Sequence, residues 1–320
     1  MRRVHKRWIW GIVLLAAVLR FVHIDAQPVG HHGWRQADTA AVARNFHEQG
    51  YRLFRPQIDW AIPGYVEMEF PLYPWVVSLA YGALGEHIAL ARMLSAVASV
   101  VSVLFVFLLV KRILGDDEAL WAAGLWAILP LSIYFGRATM PESWMLAFSI
   151  AGVYQFSRWV ERSSLTLLLT SAVCIALACL LKPTSLYLGL PLLWLAWRQY
   201  GPALFARWQL WLFAAVITIP VAAWYWHAHW LGATYGATFG VFTGSSGKLG
   251  HWELLLQPGF YNRLFLDFFA DRVLTWFGFL LFLVGLLLSR HHTRERLFDV
   301  WLLGAIIMLL VGSGASSVHE

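Results

Sequence analysis

Charge is what this sequence has least of. Only 13% of its 320 residues are Asp, Glu, Lys or Arg, while 59% are hydrophobic; a soluble globular domain carries charge at about a quarter of its positions. That shortage excludes a soluble enzyme and predicts an integral membrane protein. Cysteine is nearly absent as well. Cys174 and Cys179 fall in one apolar stretch at a spacing that puts them on different sides of a helix, so neither a disulfide nor a thiolate metal site follows. Also missing are a glycine-rich phosphate loop after a strand, a CxxC or HExxH pattern and any fixed-period repeat. The formal net charge of +6 would suit nucleic acid if the cations shared a face. They stand instead in short clusters between apolar runs, so no nucleic-acid partner is expected and the basicity reads as membrane topology.

Runs of about 20 apolar residues cross a bilayer. By that measure the sequence predicts an all-α bundle of about nine membrane helices, near 8–24, 88–110, 119–136, 142–157, 165–181, 184–198, 209–227, 271–289 and 297–313, forming one polytopic domain over 1–320. The basic start MRRVHKR resembles a signal peptide. Its long apolar stretch and the lack of a small-residue cleavage site predict that it stays as an anchor. Lys and Arg in short loops mark the cytoplasmic side. The N-terminus, Lys111 with Arg112, Arg158 with Arg162, Arg198 with Arg207, and Arg290 with Arg294 and Arg296 fall there. The opposite side receives two long loops, 25–87 and 228–270, the link from Arg137 to Glu142, the turn at Lys182 and Pro183, and the terminal His319 and Glu320.

Polar groups concentrate in the first of those loops. HHGWRQADTAAVARNF, from His31 to Phe46, predicts a weakly amphipathic interfacial helix from about Arg35, with Arg35 and Asp38 one turn apart. A salt bridge on a solvated face and a functional carboxylate are both open readings of that pair. The prolines of PQIDWAIPGYVEMEFPLYPW forbid one continuous helix, and a second interfacial helix is expected after Pro74. Glu67 and Glu69 alternate through GYVEMEFP as partners for Arg35 or Arg55 or as acids in their own right. The glycine-rich second loop could be a lid or a plain connector. Asp38, Glu67, Glu69, Arg137, Glu142, Lys182, His319 and Glu320 all fall at one membrane boundary, where charges are functional candidates. Snorkelling is the competing account of Arg137 and Lys182; two cations and several acids together favour a shared anionic ligand. His31, His32, His227, His229 and His251 lack a ligand spacing, so a divalent metal is an option without a signature and no cofactor is assigned.

Taken in order, the Asp-bearing segment after the first span, FPLYPW, the span from ARMLSAVASV to VKRILG, RATMPE and LLKPTSL resemble the GT-C glycosyltransferases of the protein O-mannosyltransferase and lipid A aminoarabinose transferase superfamily, over nearly the whole chain. The resemblance implies a GT-C bundle that takes a sugar from a polyprenyl phosphate at the outer face of a membrane, the bacterial inner membrane, and transfers it with inversion to a glycan, lipid or protein acceptor. It implies that Lys182 contacts the donor phosphate and that Asp38 is the catalytic base, with Glu69 or Glu67 as alternatives; a phosphate leaving group needs cations, and Arg137 and Arg35 are the further candidates to supply them. Members of the family usually show an adjacent Asp-Glu pair where this chain has Arg35 and Gln36. Relatives also continue past the point where this chain ends at VHE, so a shortened chain is expected. A transporter or flippase for a lipid-linked or anionic substrate is the rival reading. It is disfavoured on the expectation that charges gather at one edge and leave the span centres clean. A non-catalytic scaffold would not need the polar cluster.

Overall fold

The computed structural model describes residues 2–27, 32–241, 252–288 and 296–312; His31, His251, His319 and Glu320 lie outside them. A helix occupies each of the nine apolar stretches. In chain order the helices are α1 (Arg2–Phe21), α2 (Gly33–Glu48), α3 (Leu72–Leu84), α4 (Ile88–Ile113), α5 (Asp116–Ile128), α6 (Pro130–Gly136), α7 (Glu142–Arg162), α8 (Leu165–Leu181), α9 (Gly189–Tyr200), α10 (Trp208–Tyr235), α11 (Pro258–Tyr261), α12 (Thr275–Leu287) and α13 (Arg296–Val311). Among the described residues, α4 and α10 are long and apolar enough to cross a membrane alone, and two bent pairs raise that number to four.

Both bent pairs correct the sequence reading. The expected span 119–136 is α5 and α6, bent by 63° at Leu129. Pro130 is the cause, because it has no N–H to continue the ladder and its ring clashes with the carbonyl one turn back. The expected span 271–289 is also broken: Pro258–Val273 meets α12 at 115°, with Thr275 at a left-handed φ of 63°. The span centres are therefore not all clean, and Arg20 in the last turn of α1 is fully buried. Smaller shifts are that α2 begins at Gly33 and α3 at Leu72, with Pro74 tolerated in its first turn.

Close helix packing follows from small residues, as it does wherever lipid gives helices no hydrophobic reason to associate. At Gly152 on α7 a Cβ would sit 2.6 Å from Ile175 Cδ1 of α8, and Ser171 Oγ donates to the Gly152 carbonyl at 2.7 Å. Phe156, Ile175, Leu192 and Phe213 join α7, α8, α9 and α10 in the largest core. The two long loops are tied together by a short parallel ladder the sequence did not suggest, β1 (Val66–Glu67) beside β2 (Ala237–Thr238).

Candidate active site

Lys182 is exposed to the site by a forced helix stop. α8 cannot run on because Pro183 follows, and Lys182 is extended at φ −153°, ψ 113°. The last carbonyls of α8 find other donors: Tyr225 Oη of α10 donates to Cys179 and Leu180, at 3.2 and 3.1 Å, and the backbone N–H of Phe70 donates to Leu180 at 2.9 Å. That last bond docks the first loop on the end of α8 and brings Glu69 beside Lys182. Glu142 is the first residue of α7, where the helix dipole favours an anion. Arg35 projects from the first turn of α2.

These four side chains form a ring of alternating charge. Lys182 Nζ lies 2.9 Å from Glu142 Oε1 and 3.7 Å from Glu69 Oε1. Arg35 lies 3.1 Å from Glu69 and 3.6 Å from Glu142. The side chains retain between 15% and 27% exposure, so the pairs are partly shielded from water. Burial pushes the Glu69 carboxyl up, but Lys182 and Arg35 outweigh it and hold its pKa below the ordinary carboxylate value. One oxygen of Glu142, Oε2, is buried without a hydrogen-bond partner. The salt bridge considered for Arg35 and Asp38 is replaced by this ring.

Gln36, its neighbour, holds α2 in place. Its Nε2 donates to Tyr134 Oη at 3.3 Å and its Oε1 accepts from the Thr139 N–H at 3.1 Å. The Arg-Gln pair thus does two structural jobs, one in the ring and one in the clamp on RATMPE. Nothing in the residue types alone marked Gln36.

Asp38 stands one turn further along α2 in a cleft shared with Trp34, Arg35, Thr39 and Glu69. Among the described residues no hydrogen bond or ion pair engages it. Its carboxyl is pushed above the ordinary value by burial and by the nearby charge of Asp59, which Arg44 and Asn45 hold. On the other side of the ring, Arg35 and Glu142 line an apolar cavity of about 350 Å³ that continues past Met140 and Phe135 to Leu129 and Trp126. Arg35 is common to both spaces.

The remaining candidates are placed elsewhere. Glu67 is fully buried in β1 against Gly232, where a Cβ would come within 2.5 Å of its Oε2. Arg137 turns away and donates to the Val22 carbonyl at 2.6 Å, holding the segment after α1. His32 borders the apolar cavity beside the Phe135 ring, and His227 meets the Phe54 carbonyl at 2.7 Å. Among the described residues no three His, Cys, Asp or Glu side chains come together as a metal site.

Known proteins share the fold and part of the sequence. Residues 68–226 match the family model of dolichyl-phosphate-mannose-protein mannosyltransferase. The structure of ArnT from Cupriavidus metallidurans superposes on 98% of the chain with a TM-score of 0.66 at 15% identity. The chain is similar to GT-C transferases of the protein mannosyltransferase and ArnT type. The same ArnT bound to undecaprenyl phosphate superposes with a TM-score of 0.65. A further likeness in fold, at a TM-score of 0.51 and 16% identity over 95% of the chain, is the archaeal oligosaccharyltransferase AglB from Archaeoglobus fulgidus, in complex with an inhibitory peptide and a dolichol-phosphate. In sequence, 181 residues are 26% identical to a Bacillus subtilis protein named "Putative mannosyltransferase YycA". The chain spans 59% of ArnT and the match takes in 25% of YycA.

Proposed function

We propose that the chain is a membrane glycosyltransferase that moves a sugar from a polyprenyl-phosphate donor, with inversion, to a glycan, lipid or protein acceptor at the outer face of the bacterial inner membrane, its N-terminus cytoplasmic and about nine helices spanning. The observation that carries this reading is the position of Arg35 and Lys182: two cations in one ring, with the ring's Arg35 and Glu142 bordering a long apolar cavity and its Arg35 and Glu69 bordering a polar cleft. A prenyl chain fits the first space and an acceptor hydroxyl the second.

The chemistry follows from charge. A sugar linked to polyprenyl phosphate is a diester with one negative charge, and the departing phosphate gains another as the bond to the sugar breaks. Fixed cations stabilise that developing charge without needing to reorganise, and no general acid is required. Lys182 and Arg35 are those cations. In the ligand-free ring their charge is matched by Glu69 and Glu142, so donor binding means exchanging carboxylate contacts for phosphate contacts. Asp38, unpartnered and with a raised pKa, takes the acceptor's proton as general base on the opposite face of the sugar.

The bends at Leu129 and at Leu274 are the features that favour the rival, a flippase for a lipid-linked substrate, since transporters use broken helices. Proteoliposomes loaded with labelled polyprenyl-phosphate sugar separate the two. A transferase moves the label onto an acceptor and releases polyprenyl phosphate, whereas a flippase changes which leaflet holds an intact donor.

A further inference from the structure

α1 ends on a buried charge. Arg20 has no exposed surface, and among the described residues no carboxylate pairs with it. Its guanidinium is instead spent on neutral acceptors: Nε donates to Ser99 Oγ at 2.6 Å, Nη1 to the carbonyls of Ala127 and Ala16 at 2.9 and 3.2 Å, and Nη2 to Ser132 Oγ at 2.8 Å and the Trp126 carbonyl at 3.3 Å. Pro130 explains that choice. In an unbroken helix the Trp126 carbonyl would accept from the N–H four residues on, and that residue is Pro130, which has none. The Ala127 carbonyl belongs to the same opened turn. A buried carbonyl without a donor is costly, and the flat five-donor fork of arginine can serve both carbonyls and both hydroxyls at once.

The fit is close. A Cβ at Gly136, at the end of α6, would lie 2.7 Å from Ser99 Oγ and 2.9 Å from Arg20 Nε, so α6 reaches this clamp only as glycine. Ser99, Trp126, Leu129, Ser132 and Gly136 are also wall residues of the apolar cavity that Arg35 and Glu142 border.

We propose that Arg20 is a positioning residue, which caps the carbonyls stranded by Pro130 and so holds the α5–α6 bend that walls the cavity assigned to the prenyl chain. The second half of that statement rests on the function proposed above. Arg20 touches no ligand; it acts through the shape of the wall.

The test is a cycle between Arg20 and Pro130 on the purified chain in nanodiscs, reading the thermal midpoint and the dissociation constant for undecaprenyl phosphate as probe. Arg20→Met should lower the midpoint and weaken probe binding by roughly tenfold, the equivalent of about one lost hydrogen bond's worth of wall order. Arg20→Lys, with three donors in place of five, should fall between, and it carries the comparison if the Met variant does not fold. Pro130→Ala restores the missing N–H. In that background Arg20→Met should lower the midpoint much less, while probe affinity stays low because the bend is gone. An equal loss of midpoint in both backgrounds would overturn the capping role, and unchanged probe affinity for Arg20→Met beside Pro130 would overturn the positioning role. If the wild-type chain does not bind the probe, the proposed function falls instead, and the midpoint coupling alone decides whether Arg20 caps the break.

Discussion

Replacing Lys182 with Met keeps the apolar stem and removes the charge. The two carboxylate contacts that remain in the ring then depend on Arg35 alone, and Glu142, which already has one unpartnered oxygen, loses its 2.9 Å partner. Stripping one member from a fully buried ion pair costs about 3–5 kcal/mol, and an exposed pair is worth about 0–1 kcal/mol. Side chains that keep 15–20% exposure place the loss between these limits, about 2 kcal/mol. Donor binding should suffer separately. A hydrogen bond to a charged group is worth about 1.5–3 kcal/mol, which corresponds to a roughly 10- to 150-fold weaker dissociation constant. The assay is equilibrium binding of polyprenyl phosphate to Lys182→Met in nanodiscs, alongside Lys182→Met with Glu142→Gln. The second substitution removes the orphaned carboxylate, so stability should recover while affinity stays low. If Lys182→Met binds the lipid phosphate as tightly as the wild type, the lysine is only snorkelling and the phosphate role is refuted.

Asp38→Asn should lower turnover by roughly a hundred- to ten-thousand-fold while leaving donor binding intact; near-full turnover in that variant combined with collapse in Glu69→Gln would move the base to Glu69. The acid limb of kcat/KM should have its midpoint above the ordinary aspartate value of 3.8, since burial and then Asp59 raise the Asp38 pKa, and Asp59→Asn should shift that limb to lower pH; an unmoved limb would disconnect Asp59 from the base. Stability should respond oppositely at the two acids. The depressed pKa of Glu69 gives stability that is present above its unfolded value and lost as pH falls through the folded one, whereas the raised pKa of Asp38 gives stability present below its unfolded value and lost as pH rises through the folded one. Denaturation of Glu69→Gln and Asp38→Asn across pH 3–7 reads both slopes, and equal slopes in the two variants would contradict the assignment. Gln36→Leu should cost about 1–3 kcal/mol, because it leaves the buried Thr139 N–H without its acceptor, and a thermal midpoint equal to the wild type's would show that the clamp is not needed.

The helices were legible because hydropathy is a one-dimensional signal. The nine apolar runs announced themselves, and the sequence placed Glu142 and Lys182 at the ends of two of them and Arg35 on the interfacial helix of the first loop, three of the four members of the ring. Glu69 was named with them. What composition could not reveal was the satisfaction of individual backbone groups. The ring depends on the Phe70 N–H finding the Leu180 carbonyl, a contact between residues far apart in the chain. Arg20 lay unremarked inside the run 8–24, and only the bend forced by Pro130 shows why a guanidinium is buried there. Pro130 itself stood in plain view, but an apolar run with one proline reads as a span until the break is seen. Glu67 and Arg137 stand outside the ring for the opposite reason: position along the chain put them at the boundary, whereas Glu67 is buried in β1 and Arg137 donates to the Val22 carbonyl.

The proposed function seats a lipid-linked phosphate on the ring of Arg35, Lys182, Glu69 and Glu142. A structure of the chain in nanodiscs with polyprenyl phosphate tests it most directly. Phosphate density is expected within hydrogen-bond distance of Lys182 Nζ and the Arg35 guanidinium, with the prenyl chain running along the cavity wall past Phe135 toward Leu129 and Trp126. Phosphate density at the opposite end of the bundle, beside Arg112 and Arg198, with the ring still closed on itself, would contradict it.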